Sequence, residues 1–334
     1  MKLPASVLLM LATGALAAGS SQPASLPTLP ELYDGAMLPE QGVRTFSHTE
    51  RLLPVRIVKR AGAVHPFKKR AAALPAITFR DQGRILDLYD YLSINRVAGL
   101  LILKEGDVAF EHYDLGAGPD TRWSSWSIAK SMTSTLAGAA IADGYIDSLD
   151  DPAGRYVPAL RGGVYENVSI RQILTMSSGV RWNETYTDPN SDRRQLLKWQ
   201  MAQQPGGMLR FMSGLGRAAP AGSVWNYNTG ETVVLGAVIE GATHRPLAQY
   251  LSEKIWSKAG MEHDATWWVE SPGGMAVAGT GLAAAHNGHI AHELTSRAAV
   301  GRNPPAVLSF SKVPSGPVYP PRAATIRRMR IFAG

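Results

Sequence analysis

The stretch SSWSIAKSMTSTLAGAAIADG at residues 124–144 constrains this chain more than any other. Ser127 stands three residues before Lys130, at the start of an apolar run with helical period and small residues on its far face. Residues i and i+3 share one face of a helix. A serine hydroxyl is a weak nucleophile at neutral pH and needs an adjacent base. A lysine one turn away can take its proton, provided burial or nearby positive charge keeps the amine neutral. The N-terminus of the helix adds backbone N–H donors and a positive dipole end where an oxyanion would develop. The pattern predicts a helix beginning near Ser127, ended by Gly144, that carries nucleophilic-serine chemistry of the S-x-x-K kind. A second S-x-x-K match, Ser309 to Lys312, sits among prolines without helical period and is assigned to chance.

With 334 residues the chain can bury a large core in one domain or two lobes. The first residues, MKLPASVLLMLATGALAAGSS, read as a signal peptide over 1–17: one lysine, a short apolar run, and Ala15-Leu16-Ala17 as the small-residue cleavage site. Secretion, or export to a periplasm, follows from that reading. No later segment is apolar enough to span a bilayer. The absence of cysteine excludes disulfides, a thiol nucleophile and a lipid on an N-terminal cysteine. The net charge of +7 suggests an anionic partner, but residues 286–334 hold seven Lys/Arg against Glu293 alone. The basic character is therefore local to the tail and does not point to nucleic acid.

Along the chain, 18–84 is rich in proline and small residues and reads as an extended strap over the body. VAGLLILKEGDVAFEHYD (97–114) reads as a hairpin turning at Glu105-Gly106-Asp107. DSLDDPAGRYVPAL is a proline-punctuated loop, and 168–180 a short helix running into a turn. Residues 181–222 read as irregular and polar, the kind of stretch that carries substrate-facing loops. Residues 231–261 read as two helices with a break near Thr243–Pro246. A second chemical cluster, Tyr227, Asn228 and Thr229, stands just before the first of these helices. A tyrosine facing the lysine can relay protons to a leaving group, and a polar side chain two residues on can hold substrate or lysine. Taken alone, such a tyrosine is more often a core aromatic.

Ser127-Ile128-Ala129-Lys130, the turn Ile173 to Gly179, and Tyr227-Asn228-Thr229 together resemble three ordered landmarks of the β-lactamase-related serine hydrolases. That superfamily holds class C β-lactamases, D-Ala-D-Ala peptidases and esterases. The long N-terminal segment, the spacing from Ser127 to Tyr227 and the run Trp182 to Asp188 make the 6-aminohexanoate-dimer hydrolase branch the most similar. The resemblance covers about 85–285. It implies an α/β (α+β) fold of the β-lactamase/transpeptidase type, with an antiparallel sheet flanked by helices, a mainly helical lobe and a site between them. It further implies Ser127 as nucleophile, Lys130 and Tyr227 sharing acid and base roles, and the Ser127 backbone N–H as half of an oxyanion hole. Tyr186, Thr229 and Asn228 become substrate-binding residues, Tyr186 on a mobile loop. The implied substrate is a small-molecule amide or ester, with no cofactor and no metal.

Two departures stand out. The family's Tyr-x-Asn is here Tyr-x-Thr, and a threonine hydroxyl still donates and accepts. The family's third motif, a Lys/His-x-Gly-like turn on the strand beside the serine, is not found. His286-Asn287-Gly288 matches it formally but comes too early and lacks a strand pattern. From about Ala285 the chain turns rich in arginine and proline with no sustained period. That conflict between local pattern and fold predicts a frame-shifted or replaced C-terminal part, so that 85–285 is a truncated hydrolase domain and 286–334 an anomalous basic tail; the alternative is a disordered basic tail. His286, His289 and His292 are spaced so that all three cannot share one ligand face, which argues against a metal site. Two alternatives to an amide or ester hydrolase remain at this stage. One is a β-lactamase or D-Ala-D-Ala peptidase, disfavoured by the missing carboxylate anchor. The other is an inactive remnant, favoured by loss of one oxyanion donor, which typically costs ~10²–10³ in rate. A paired-histidine zinc motif and a G-x-S-x-G elbow are both absent.

Overall fold

Strand and helix boundaries in the central part of the chain follow its turn chemistry. The computed structural model describes residues 26–35, 37–71, 74–285 and, as backbone, 306–310. The expected signal peptide, the three tail histidines and, apart from 306–310, the rest of 286–334 lie outside the described residues. Helices α1 (Leu29–Asp34) and α2 (Pro39–Phe46) come first, then strand β1 (Val55–Val58), the hairpin β2 (Thr78–Asp81) and β3 (Arg84–Asp87), and α3 (Leu88–Ile94). The hairpin expected at 97–114 is present as β4 (Gly99–Lys104) and β5 (Asp107–Tyr113). Its turn puts Glu105 and Gly106 at φ 57° and 89°, the paired positive φ of a tight hairpin turn whose twist suits antiparallel strands.

Next come β6 (Trp123–Ser124), α4 (Ile128–Ala142), α5 (Ala153–Tyr156), α6 (Ile170–Leu174), α7 (Asp192–Met201), α8 (Gly207–Ser213), α9 (Thr229–Thr243) and α10 (Leu247–Leu251). Strands β7 (Ala265–Trp268), β8 (Leu282–Ala284) and β9 (Ala306–Phe310) follow. Among the described residues every pairing between these strands is antiparallel: one sheet runs β1-β7-β8-β6, a second β5-β4-β9, and β2 pairs with β3.

Helix α4 buries Ala129, Met132, Thr133, Leu136, Ala137 and Ala140, a stripe of i, i+3, i+4, i+7 spacing. Met132 and Leu136 have no exposed surface, and burying side chains of that size contributes roughly 1.5–3 kcal/mol each. The helix ends where Gly144 takes φ 77°. Its main partner is α9, apolar almost all round and buried accordingly. At Gly236 a Cβ would stand 2.6 Å from the Ala278 Cβ, so α9 and the 278–281 turn approach too closely for a side chain. Among the described residues no helix is long and apolar enough to cross a membrane.

Three expectations need correction. The described residues within 18–84 do not form an extended strap. Thr28 and Glu31 form a reciprocal cap for α1, with a proline in its first turn, where a missing N–H costs nothing. Val55–Val58 pairs with β7 as a sheet strand, and Leu29, Tyr33, Val43 and Phe46 join the same buried cluster as Met132 and Val238. Second, the stretch 181–222 is not irregular: it holds α7 and α8. Helix α7 buries Arg193, Arg194 and Gln200 beside Leu196 and Leu197, so its inward face does not look apolar in sequence. Third, Ala153–Tyr156 and Pro158–Leu160 are short helical turns within the expected loop.

Candidate active site

Ser127 occupies the N-cap of α4, and the backbone just before it is unusual. Trp126 has φ 45°, a region that bulky residues seldom enter and that costs of order 1–3 kcal/mol. The ring is held there by edge-on contacts to Tyr33 at 5.6 Å, Phe46 at 6.0 Å and Trp268 at 6.5 Å. Two of those three rings belong to α1 and α2, so the N-terminal segment forms the wall behind Ser127. The preceding Ser125 is tied to β8, its N–H and its Oγ both donating to the Leu282 carbonyl, at 2.8 and 2.7 Å. The strand beside the serine segment is thus β8. His286-Asn287-Gly288, just after it, lies outside the described residues.

Three of the sequence candidates converge. Lys130 Nζ donates to Ser127 Oγ at 3.1 Å, and Tyr227 OH donates to the same oxygen at 3.0 Å. Lys130 also donates to the Gly279 carbonyl at 2.8 Å, and its ammonium stands 5.3 Å from the centre of the Tyr227 ring. Ser127 itself is exposed. Burial pushes the Lys130 amine below its ordinary pKa, and the negative charges available at Tyr227 and Glu184 partly oppose that. The turn Ile173–Gly179 explains how Tyr227 gets there. Asn226 N–H donates to the Met176 carbonyl at 2.9 Å and Gly222 N–H to Ser177 at 2.7 Å, which anchors the segment leading into Tyr227.

The remaining candidates part company. Tyr186 is 39% exposed, packs its ring 6.2 Å from Tyr33, and lies beside Glu184 and Thr229. Burial, then the Glu184 charge, drives its phenol well above the usual range. Thr229 is largely buried, and its N–H and Oγ1 both donate to Glu184, at 3.0 and 2.5 Å. Asn228 does not face the open site. It is fully buried, with Oδ1 accepting from Glu231 N at 3.1 Å as the cap of α9 and Nδ2 donating to Tyr165 OH at 3.4 Å. Extended backbone before a helix sends successive side chains to opposite sides, so a polar triplet cannot all face one cavity.

Sequence reasoning missed two carboxylates. Glu184 Oε2 also accepts from Trp182 Nε1 at 2.5 Å. Glu231 is buried behind Asn228, where it accepts from Ser178 Oγ at 2.5 Å, and burial pushes its carboxyl up to about 7. The W-x-E spacing ahead of Tyr186 was the available signal for Glu184. For Glu231 there was none beyond an acid in the first turn of an apolar helix. Among the described residues no cluster of His, Asp and Glu is arranged to hold a metal ion.

The beta-lactamase family profile matches residues 94–316. The chain is 31% identical over 233 residues to 6-aminohexanoate-dimer hydrolase of Paenarthrobacter ureafaciens, an alignment that covers 68% of this chain and 58% of that protein. Among solved structures, a candidate 6-aminohexanoate-dimer hydrolase from Bacillus anthracis superposes with a TM-score of 0.68 at 23% identity, covering 78% of this chain and 69% of the other. A penicillin-binding protein from Bacillus halodurans gives 0.53 at 16%, covering 63% and 74%. The fold is that of the β-lactamases and transpeptidases, with antiparallel sheets and packed helices. The chain belongs to the beta-lactamase family, a family of hydrolases, and 6-aminohexanoate-dimer hydrolase is its homologue.

Proposed function

We propose that this chain is a serine hydrolase that opens an amide or ester bond of a small molecule through an acyl-serine intermediate. The observation that carries the reading is the sharing of one exposed oxygen, Ser127 Oγ, by Lys130 Nζ and Tyr227 OH at 3.1 and 3.0 Å. Burial favours the neutral amine at Lys130, which makes it the group to accept the serine proton. Ser127 Oγ then bonds to the carbonyl carbon while its proton passes to Lys130. The oxyanion forms over the N-terminus of α4, where the Ser127 backbone N–H and the helix dipole oppose its charge. As the tetrahedral species collapses, Tyr227 hands a proton to the departing nitrogen or oxygen and regains one from Lys130. Water repeats the sequence on the acyl ester: its proton goes to the Lys130–Tyr227 pair, its oxygen bonds to carbon, and Ser127 leaves reprotonated with release of the acid. Tyr186 and Thr229 border the space a substrate occupies. The leader-like residues 1–17 support export, which makes the substrate extracellular or periplasmic.

Mass spectrometry after incubation with a fluorophosphonate tests the mechanism. The expected result is one adduct on Ser127, lost in Lys130→Ala. A folded protein that takes no adduct at Ser127 would overturn it.

A further inference from the structure

The near balance of charge over residues 1–285 hides a local excess. Residues 51–80 hold eight Lys/Arg and no Asp or Glu. Their centre, KRAGAVHPFKKR at 59–70, sets a basic pair and a basic triplet on either side of a largely apolar stretch. It leaves β1, at one end of its sheet, and arrives at β5, at one end of the other.

Contacts at both ends hold this stretch on the surface. The Lys59 carbonyl accepts from Ser252 Oγ at 2.5 Å, and Arg60 N–H donates to Asp264 at 2.7 Å. At the far end Arg70 N–H donates to the Val108 carbonyl at 2.9 Å, and the Lys68 carbonyl accepts from Val108 N–H at 2.7 Å. Residues 59–66 between them are all exposed, as are Lys68 and Lys69. The turn 257–260 packs beneath. His65 N–H donates to the Gly260 carbonyl at 2.9 Å, and a Cβ on Gly62 would stand 3.4 Å from the Ser257 carbonyl. That turn brings the exposed Lys258 to the same face.

The acids around the face are matched one to one. Asp264 pairs with Lys59 at 3.1 Å, Glu105 with Arg70 at 2.8 Å and Glu111 with Lys69 at 4.0 Å. Glu262, two residues before Asp264, acts on the Tyr113 phenol. Arg60, Lys68 and Lys258 form no ion pair among the described residues. Amid these cations Val64 is 37% exposed, with Ala61, Ala63 and Pro66 exposed on either side of it.

Cations alone suit any polyanion. Apolar side chains set among them suit a bilayer, whose phosphates meet Lys and Arg while small apolar groups enter the interface. A single-stranded nucleic acid asks instead for outward rings on which bases stack. Phe67, the one phenyl ring of the stretch, is turned onto Leu101 and Leu103.

We propose that the face formed by residues 59–69 and Lys258 seats this protein on an anionic lipid bilayer as a peripheral contact. The contact is separate from the reaction at Ser127 and needs no spanning segment.

Flotation of the full chain with phosphatidylcholine vesicles, with and without phosphatidylglycerol, tests this. Binding is expected only where phosphatidylglycerol is present, and should fade as salt rises to about 0.5 M, where screening shortens the reach of each charge. The triple variant Arg60→Gln, Lys68→Gln, Lys258→Gln should bind on the order of a hundredfold more weakly, at about fivefold per cation removed. Val64→Ser should weaken binding about threefold through lost apolar contact. An unchanged urea midpoint shows that each variant is folded. Equal affinity of parent and triple variant for the anionic vesicles would assign the attraction to the basic residues of 286–334 and overturn the proposal. Equal binding to phosphatidylcholine alone overturns it as well, because charge then plays no part. Full-strength binding by Val64→Ser counts against a bilayer. A parent that ignores both vesicle types also overturns it; retention on heparin, lost in the triple variant, would then identify a soluble polyanion as the partner.

Discussion

Two clusters, each built on a serine, a tyrosine and an ionisable side chain, lie on opposite sides of the segment entering α9. On the open side Ser127, Tyr227 and the ionisable Lys130 share one exposed oxygen. On the closed side Ser178, Tyr165 and the ionisable Glu231 meet Asn228, all with 2% or less of their surface exposed. Each cluster has a serine, a phenol and a group whose pKa burial moves toward neutrality. The difference lies in access. Ser178 donates its proton to Glu231 and accepts from Val180 N–H, so its oxygen is used up in holding the turn. Ser127 makes no capping bond to its own helix, and its oxygen receives two donors. Composition does not separate a reactive serine from a structural one; exposure and the direction of its hydrogen bonds do.

The sharpest way to break this contrast is to remove each serine. Ser127→Ala is expected to abolish fluorophosphonate labelling and reduce hydrolysis by roughly 10³-fold or more, with unfolding by urea little changed. Residual labelling elsewhere would collapse the distinction.

Next in size is the closed-side carboxyl. Glu231 holds its proton to about pH 7 in the folded chain, against an ordinary value of 4.5. The folded state therefore binds more protons than the unfolded state between those values. The associated stability is fully present below pH 4.5 and is lost as pH rises through 7, a change of roughly 3 kcal/mol. Urea unfolding at several pH values should show that decline in the parent and not in Glu231→Gln. Parallel pH profiles would contradict it.

Ser178→Ala should keep full labelling of Ser127 while costing about 1–3 kcal/mol, since it strips donors and acceptors from buried partners. A loss of labelling without a loss of stability would show that the closed cluster takes part in the reaction. Smallest is Asn228→Ala, expected to cost about 1 kcal/mol through loss of the α9 cap. Were Asn228 a substrate contact, KM would rise instead while the urea midpoint stayed in place.

Much of the open side could be read from local pattern. Ser127 and Lys130 share a face because a helix repeats every 3.6 residues, and Gly144 ends that helix because it alone accepts positive φ there cheaply. The hairpin β4–β5 follows from alternation about a Glu-Gly turn. The helices of 181–222 could not be read that way, because α7 turns Arg193 and Arg194 inward. Arg193 stacks 4.7 Å above Tyr33, and Arg194 pairs with Asp34, so both are matched by α1, more than 150 positions earlier in the chain.

Sequence by itself determined the chemistry on offer: a serine and a lysine one turn apart, a tyrosine a hundred residues on, and the turns that start and stop their helices. These are short-range properties, set by backbone period and by which residues tolerate which φ. Tertiary structure alone decided that the proline-rich N-terminal segment is a wall behind Ser127 and that Asn228 turns into the core while Tyr227 turns out. It alone brought Glu184 to the first turn of α9. Those outcomes depend on contacts between residues far apart in the chain, where burial and charge are set by neighbours that no local pattern names.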